Sequence, residues 1–125
     1  MESTQAVAVF AALAQETRLA VYRLLVEAGH GGMAAGRIGA ELGLPSATLS
    51  FHLKELRSAG VVVSRRESRS VIYTASFDTM TALLAFLTDN CCRNEKDRSS
   101  GRGDSPASRR SPSGPPRKGT KRPRS

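Results

Sequence analysis

The chain has 125 residues, long enough for one small core, and carries 19 Lys and Arg against 11 Asp and Glu, a net charge of +8. That excess is lopsided: residues 1–92 hold eight basic and eight acidic side chains and residues 93–125 hold eleven and three, so overall charge is no argument for what the folded part binds. A secretion signal and any run of about 18 apolar residues are both missing, which excludes a spanning helix and implies a soluble protein of the reducing cytoplasm, where two cysteines are reactive or metal-binding rather than a structural disulfide.

In chain order, residues 3–13 carry Val7, Phe10 and Leu13 at helical spacing. Residues 15–28 predict a second helix with Leu19, Tyr22, Leu25 and Val26 inward, stopped by Gly29-His30-Gly31-Gly32. Residues 34–42 predict a short third helix rich in small residues. Gly43-Leu44-Pro45 breaks that pattern, and Pro45 or Ser46 opens a fourth helix whose Leu49, Leu53 and Leu56 must face a core. Its outer side presents Ser46, Ala47, Thr48, Ser50 and Lys54, with Phe51 beside them. Small side chains permit close approach to a major groove, hydroxyls bond bases or phosphates, and Lys neutralises charge.

Ala59-Gly60 ends that helix. Val61-Val62-Val63 and Val71-Ile72-Tyr73-Thr74 are β-branched runs joined by a polar segment, and they predict a hairpin with Arg65, Arg66 and Arg69 at its tip. A hairpin with basic residues directly after a candidate recognition helix describes a winged helix-turn-helix, mainly α with a β-hairpin, whose wing arginines hold flanking phosphates or probe the minor groove. Lys54, Arg57, Arg65, Arg66 and Arg69 fall in these elements, whereas Glu2, Glu16, Glu27, Glu41, Asp78 and Asp89 lie elsewhere. Ser76 or Asp78 caps a last helix running to about Asn90, on which Met80, Leu84, Leu87 and Cys91 form one stripe and Cys92 lies about 100° round. His30 and His52 read as structural.

From Arg93 the chain is Ser, Arg, Pro and Gly with hardly an apolar residue, and it holds five of the six prolines. It cannot bury a core, so residues 93–125 are expected to be a disordered tail after a single domain of residues 1–92. Its Arg102-Gly103-Asp104-Ser105 string reads as chance. The tail's expected contribution is salt-sensitive, sequence-independent attraction to DNA.

The segment FAALAQETRLAVYRLL (residues 10–25), then LSFHLKEL (residues 49–56), Ala59-Gly60-Val61 and Tyr73, resembles the ArsR/SmtB family of metal-responsive repressors. The family pairs an ALA-x-x-TRL-x-x-x-x-LL opening with an S-x-HL-x-x-L-x-x-AG-[LV]-V recognition helix. The likeness covers residues 5 to 92 in register. It implies a homodimeric winged-helix repressor, joined through its first and last helices, that binds double-stranded operator DNA as an inverted repeat.

Within that resemblance, Cys91 and Cys92 at the end of the last helix look like the C-terminal thiolate site of arsenic-responsive members. Soft sulfur donors favour thiophilic ions. The cysteine site that some members carry at the start of the helix-turn-helix would fall at Met33-Ala34-Ala35-Gly36, where no cysteine stands, and the last helix has no His for a zinc site. The expectation is no permanently bound cofactor and an inducer of trivalent arsenic or antimony. Arsenite takes three thiolates and this chain offers two, so the third ligand is a small thiol, a cysteine of the other subunit, or nothing. The last case suits methylarsenite, with two exchangeable positions, and the sequence does not choose among them. The same fold used as a thiol redox switch, or as a nucleic-acid-binding protein without an inducer, stays open. An enzyme is excluded by the lack of paired carboxylates, a Gly-rich phosphate loop or a nucleophile–base set.

Overall fold

The computed structural model describes residues 1–95. The expected tail lies outside the described residues, apart from Arg93–Glu95, which close a 3-10 turn. Met1–Asp89 form one unit, and the described residues from Asn90 to Glu95 stand apart from it.

The elements run α1 (Ser3–Leu13), α2 (Glu16–Ala28), a 3-10 turn (Gly29–Gly31), β1 (Met33–Ala34), α3 (Ala35–Leu42), α4 (Ser46–Ala59), β2 (Val62–Glu67), β3 (Ser70–Ala75) and α5 (Phe77–Thr88). Each helix contributes to a common core: Ala6 and Val9 from α1, Val21 and Leu25 from α2, Ile38 from α3, Leu49, Leu53 and Leu56 from α4, and Leu83 from α5. The alanines of α1 let the helices approach closely, and burial of Leu56 at 0% exposure makes it a site where truncation costs about 2–5 kcal/mol.

Four expectations need correction. On α2, Leu19 and Val26 are not inward; they are 44% and 42% exposed, because the buried stripe is centred on Val21, Tyr22 and Leu25 and Val26 sits a full 100° round from Leu25. A third strand, unforeseen, is β1: it pairs antiparallel with β3 (Met33↔Tyr73, Ala34↔Ile72), giving the order β1-β3-β2. The hairpin is paired almost to its tip, with Glu67 opposite Ser70 and only Ser68 and Arg69 in the turn. Arg65 and Arg66 are therefore strand residues of β2, and Arg69 alone belongs to the tip. A two-residue turn with Ser68 at φ 55° permits this, since backbone ladders do not require apolar side chains. Finally, α5 stops at Thr88, where Asp89 turns extended at φ −57°, ψ 132°. Cys91 thus lies three residues beyond the helix and does not continue its stripe.

Between α3 and α4, Gly43 adopts the left-handed conformation and, with Leu44, donates its N–H to the Gly39 carbonyl. Pro45 follows as the N-cap of α4, so the turn is made by backbone geometry that those two residues favour. Gly60, at φ 84°, ends α4 by donating to Arg57 and Leu56 and delivers the chain into β2.

Candidate nucleic-acid interface

The two faces of α4 are separated as the spacing required. Leu49, Leu53 and Leu56 are buried, while Ser46, Ala47, Thr48, Ser50, Phe51 and Lys54 are all exposed. Phe51 is 56% exposed, an apolar ring left in water beside hydroxyls and a cation. The start of α4 has no side-chain cap, and its first helical bond is Leu49 N–H to the Pro45 carbonyl at 2.9 Å. The N–H groups of Ser46, Ala47 and Thr48 consequently point out along the helix axis, where the helix dipole favours an anion such as a phosphate oxygen. The groove beside this end is walled by Gly36, Gly39, Ala40, Gly43, Ser46 and Ser50. These small side chains leave room for a duplex edge.

The basic groups differ in how they are held. Lys54 and Arg57 stand exposed on α4, and Arg66 and Arg69 on the wing. Arg65, on the same wing, is exposed as well, but its guanidinium is held by the protein. Its Nε donates to Glu67 Oε2 at 2.9 Å, one Nη to the Gly31 carbonyl at 2.9 Å, and the other to Thr74 Oγ1 at 3.4 Å. The expected segregation of charge is also less clean than the sequence count implied, because Glu55 lies on α4 and Glu67 on β2.

Two supporting residues stood in the sequence only as part of a motif and of a helix stop, with no site role assigned to them. Arg18, on α2, donates from Nε to the Ala12 carbonyl at 2.6 Å and from Nη1 to His52 Nδ1 on α4 at 3.4 Å, while Gln15 caps α2 by accepting from the Arg18 backbone N–H at 2.8 Å. Gly32, at φ 73°, brings the backbone so close to β3 that a Cβ there would sit 2.6 Å from the Tyr73 carbonyl. His30 meets Phe77 edge-on at 4.9 Å, and neither histidine is gathered into a ligand set.

Beyond Asp89, Cys91 and Cys92 are exposed, with their sulfurs 3.2 Å apart. Cys92 holds φ 63°. Its thiol is pushed above the usual range, first by its hydrogen bond to Cys91 and the charge of that neighbour, then by Glu95. Among the described residues no group of three or more His, Cys, Asp and Glu is arranged to hold a metal, and no helix is long and apolar enough to cross a membrane.

A helix-turn-helix domain model matches residues 13–65. YceK, an uncharacterized HTH-type transcriptional regulator of Bacillus subtilis, is 36% identical over 80 residues, covering 63% of this chain and 79% of that protein. The transcriptional activator HlyU of Vibrio cholerae is 32% identical over 91 residues, covering 73% and 82%. A structure of reduced HlyU superposes with a TM-score of 0.57 over 72% of this chain and 92% of that one. The homodimeric winged helix-turn-helix DNA-binding domain of Mb0332 from Mycobacterium bovis, a possible ArsR-family regulator, is 28% identical with a TM-score of 0.57 over 74% and 84%. The chain belongs to the ArsR/SmtB family of winged-helix transcriptional regulators. It is accordingly a DNA-binding regulator and not an enzyme. In family terms α3 and α4 are the helix-turn-helix, β2 and β3 the wing.

Proposed function

We propose that this ArsR/SmtB-family regulator works in the cytoplasm as a homodimeric repressor, released from an inverted-repeat operator by a trivalent arsenical or antimonial bound at Cys91 and Cys92. The outer face of α4 carries the DNA half of the reading: Ser46, Ala47, Thr48, Ser50, Phe51 and Lys54 present hydroxyls, an apolar ring and a cation above an uncapped helix start. Arg66 and Arg69 on the wing hold the flanking phosphates. Val7 and Phe10 on α1, together with Leu84 and Leu87 on α5, are large, exposed and apolar. Such side chains on the first and last helices are what a dimer seam needs, and Mb0332 is itself homodimeric.

The donor set supports the inducer half. Zinc bonded to two thiolates at about 2.3 Å in tetrahedral geometry would hold the sulfurs about 3.8 Å apart and would need two more ligands. The sulfurs here are 3.2 Å apart, near enough for both to reach one thiophilic ion. Cys91 and Cys92 fit a species with two exchangeable positions, and methylarsenite is that species. In binding it would exchange its two hydroxyl groups for the Cys91 and Cys92 sulfurs, the thiol protons leaving with them as two molecules of water, and so would pin the segment following α5. A segment pinned three residues past α5 alters the end of a seam helix, and by reciprocity operator DNA weakens inducer binding by the same factor.

A second reading rests on the same pair. Adjacent sulfurs at 3.2 Å can be oxidised to a strained vicinal disulfide, a labile bond suited to a redox switch. That the Vibrio cholerae relative has been solved as reduced HlyU favours keeping it. The deciding experiment uses a duplex selected from a random-sequence pool by the unmodified protein, titrated in parallel with methylarsenite, arsenite, hydrogen peroxide and zinc. Release by methylarsenite at the lowest concentration supports the proposal, release by peroxide alone supports the redox switch, and release by zinc first overturns both.

A further inference from the structure

The Arg65 side chain reaches over the central strand of the sheet. It starts on edge strand β2, passes central strand β3 at Thr74 and reaches the Gly31 carbonyl just before the other edge strand, β1. Glu67, two residues along its own strand, holds the Nε side at 2.9 Å. The register explains the reach, for Arg65 opposes Ile72 and Val63 opposes Thr74, so these four side chains share one face. Three of its five N–H donors are used, one on each nitrogen and each on a different segment.

The turn that Arg65 grips is itself fixed to the sheet. The site of a Gly32 Cβ lies 2.7 Å from Thr74 Oγ1 and 2.8 Å from Ile72 Cγ2, so the chain entering β1 presses on the very residues that Arg65 crosses. The Arg65–Glu67 pair alone is exposed, 44% and 58%, and an isolated pair of that kind adds little to stability. Its effect is geometric: a planar fork with three acceptors on three segments sets the angle at which the hairpin leaves the domain.

We infer that Arg65 is a positioning residue for the wing rather than a DNA contact, and that Glu67 is its partner in that role. The inference rests on the proposal that the wing meets DNA through Arg66 and Arg69. It runs against the plain charge argument. If Arg65 gripped a phosphate, Glu67 would compete for it and repel DNA, and Glu67→Gln would tighten binding. If Arg65 aims the wing, Glu67→Gln releases the aim and weakens binding although it removes a negative charge.

The test measures affinity for the selected duplex as a function of salt for Arg65→Ala, Glu67→Gln, the double variant, Arg66→Ala and Arg69→Ala. Expected are losses of about three- to tenfold for Arg65→Ala and Glu67→Gln, a double variant no weaker than either single one, and no recovery with Arg65→Lys, which lacks the fork. Tighter or unchanged binding by Glu67→Gln overturns the inference, and so does an additive double variant. If Arg66→Ala and Arg69→Ala are silent too, the wing does not touch DNA and the underlying reading fails with it. If they weaken binding while Glu67→Gln does not, only the positioning role fails.

Discussion

Arg18 on α2 donates to the Nδ1 of His52 on α4 at 3.4 Å, while its Nε is held 2.6 Å from the Ala12 carbonyl at the end of α1. One half-buried guanidinium thus ties three helices together, and one of them carries the proposed DNA face. Glu55 and Ser58 of α4 line the same groove between the helices. The neighbouring Phe51 ring stacks edge-on against His52 at 5.4 Å, so the orientation of the exposed aromatic is linked to this anchor.

Arg18→Ala removes two charge-assisted hydrogen bonds and should cost about 2 kcal/mol of stability. Arg18→Lys should recover little of it, because an ammonium cannot serve Ala12 and His52 from one plane. Urea unfolding of the three proteins checks this. An equal midpoint for wild type and Arg18→Ala would show that the anchor contributes nothing.

Gly32→Ala should destabilise by roughly 2–4 kcal/mol, since it combines a positive φ with a Cβ 2.6 Å from the Tyr73 carbonyl. Gly36→Ala is the control. It lies inside α3 with nothing within 4 Å of the added Cβ and should stabilise by about 0.5–1 kcal/mol. Thermal unfolding distinguishes the two signs.

On the DNA face, Lys54→Ala and Arg66→Ala should weaken binding to all duplexes and each lower the salt slope by about 1. Ser50→Ala and Phe51→Ala should instead change which bases are preferred, which a selection from a random pool reads directly. A uniform loss from Phe51→Ala with unchanged preference would place Phe51 outside base readout.

Thiolates, not thiols, take a thiophilic ion or an alkylating agent. The Cys92 thiol is raised by Cys91 first and by Glu95 after it, so little thiolate is present at neutral pH and reactivity should climb as pH rises through the thiol's elevated range. Glu95→Gln should bring that rise to lower pH, measured by iodoacetamide labelling of single-cysteine Cys91→Ser protein. An unchanged profile would remove Glu95 from the account. Operator binding without inducer should survive Cys91→Ser together with Cys92→Ser.

Deleting residues 96–125, which lie outside the described residues, removes ten basic and two acidic side chains and leaves a chain of zero net charge. Non-specific DNA affinity should fall, with a shallower salt dependence, while the unfolding transition stays where it was. A lower transition temperature would show that the tail takes part in the fold.

Local chemistry was enough for much of this protein. Period-3.6 leucines in α4, the Gly43-Leu44-Pro45 break and the β-branched runs after Gly60 specify the helix-turn-helix and its hairpin, because helix periodicity and turn conformations are settled by neighbours in the chain. The exposed set from Ser46 to Lys54 followed from the same arithmetic. What the sequence could not decide depends on partners distant along it. Strand β1 exists only because β3 offers it a ladder, and Gly32 signals that approach only once Tyr73 is beside it. The α2 stripe rotated away from Leu19 and Val26 because the core it faces is assembled from four other elements. Arg65 looked like Arg66 and Arg69 in one dimension. The tertiary structure separated them by carrying Gly31, thirty-four residues earlier in the chain, to within 2.9 Å of one guanidinium and of neither other.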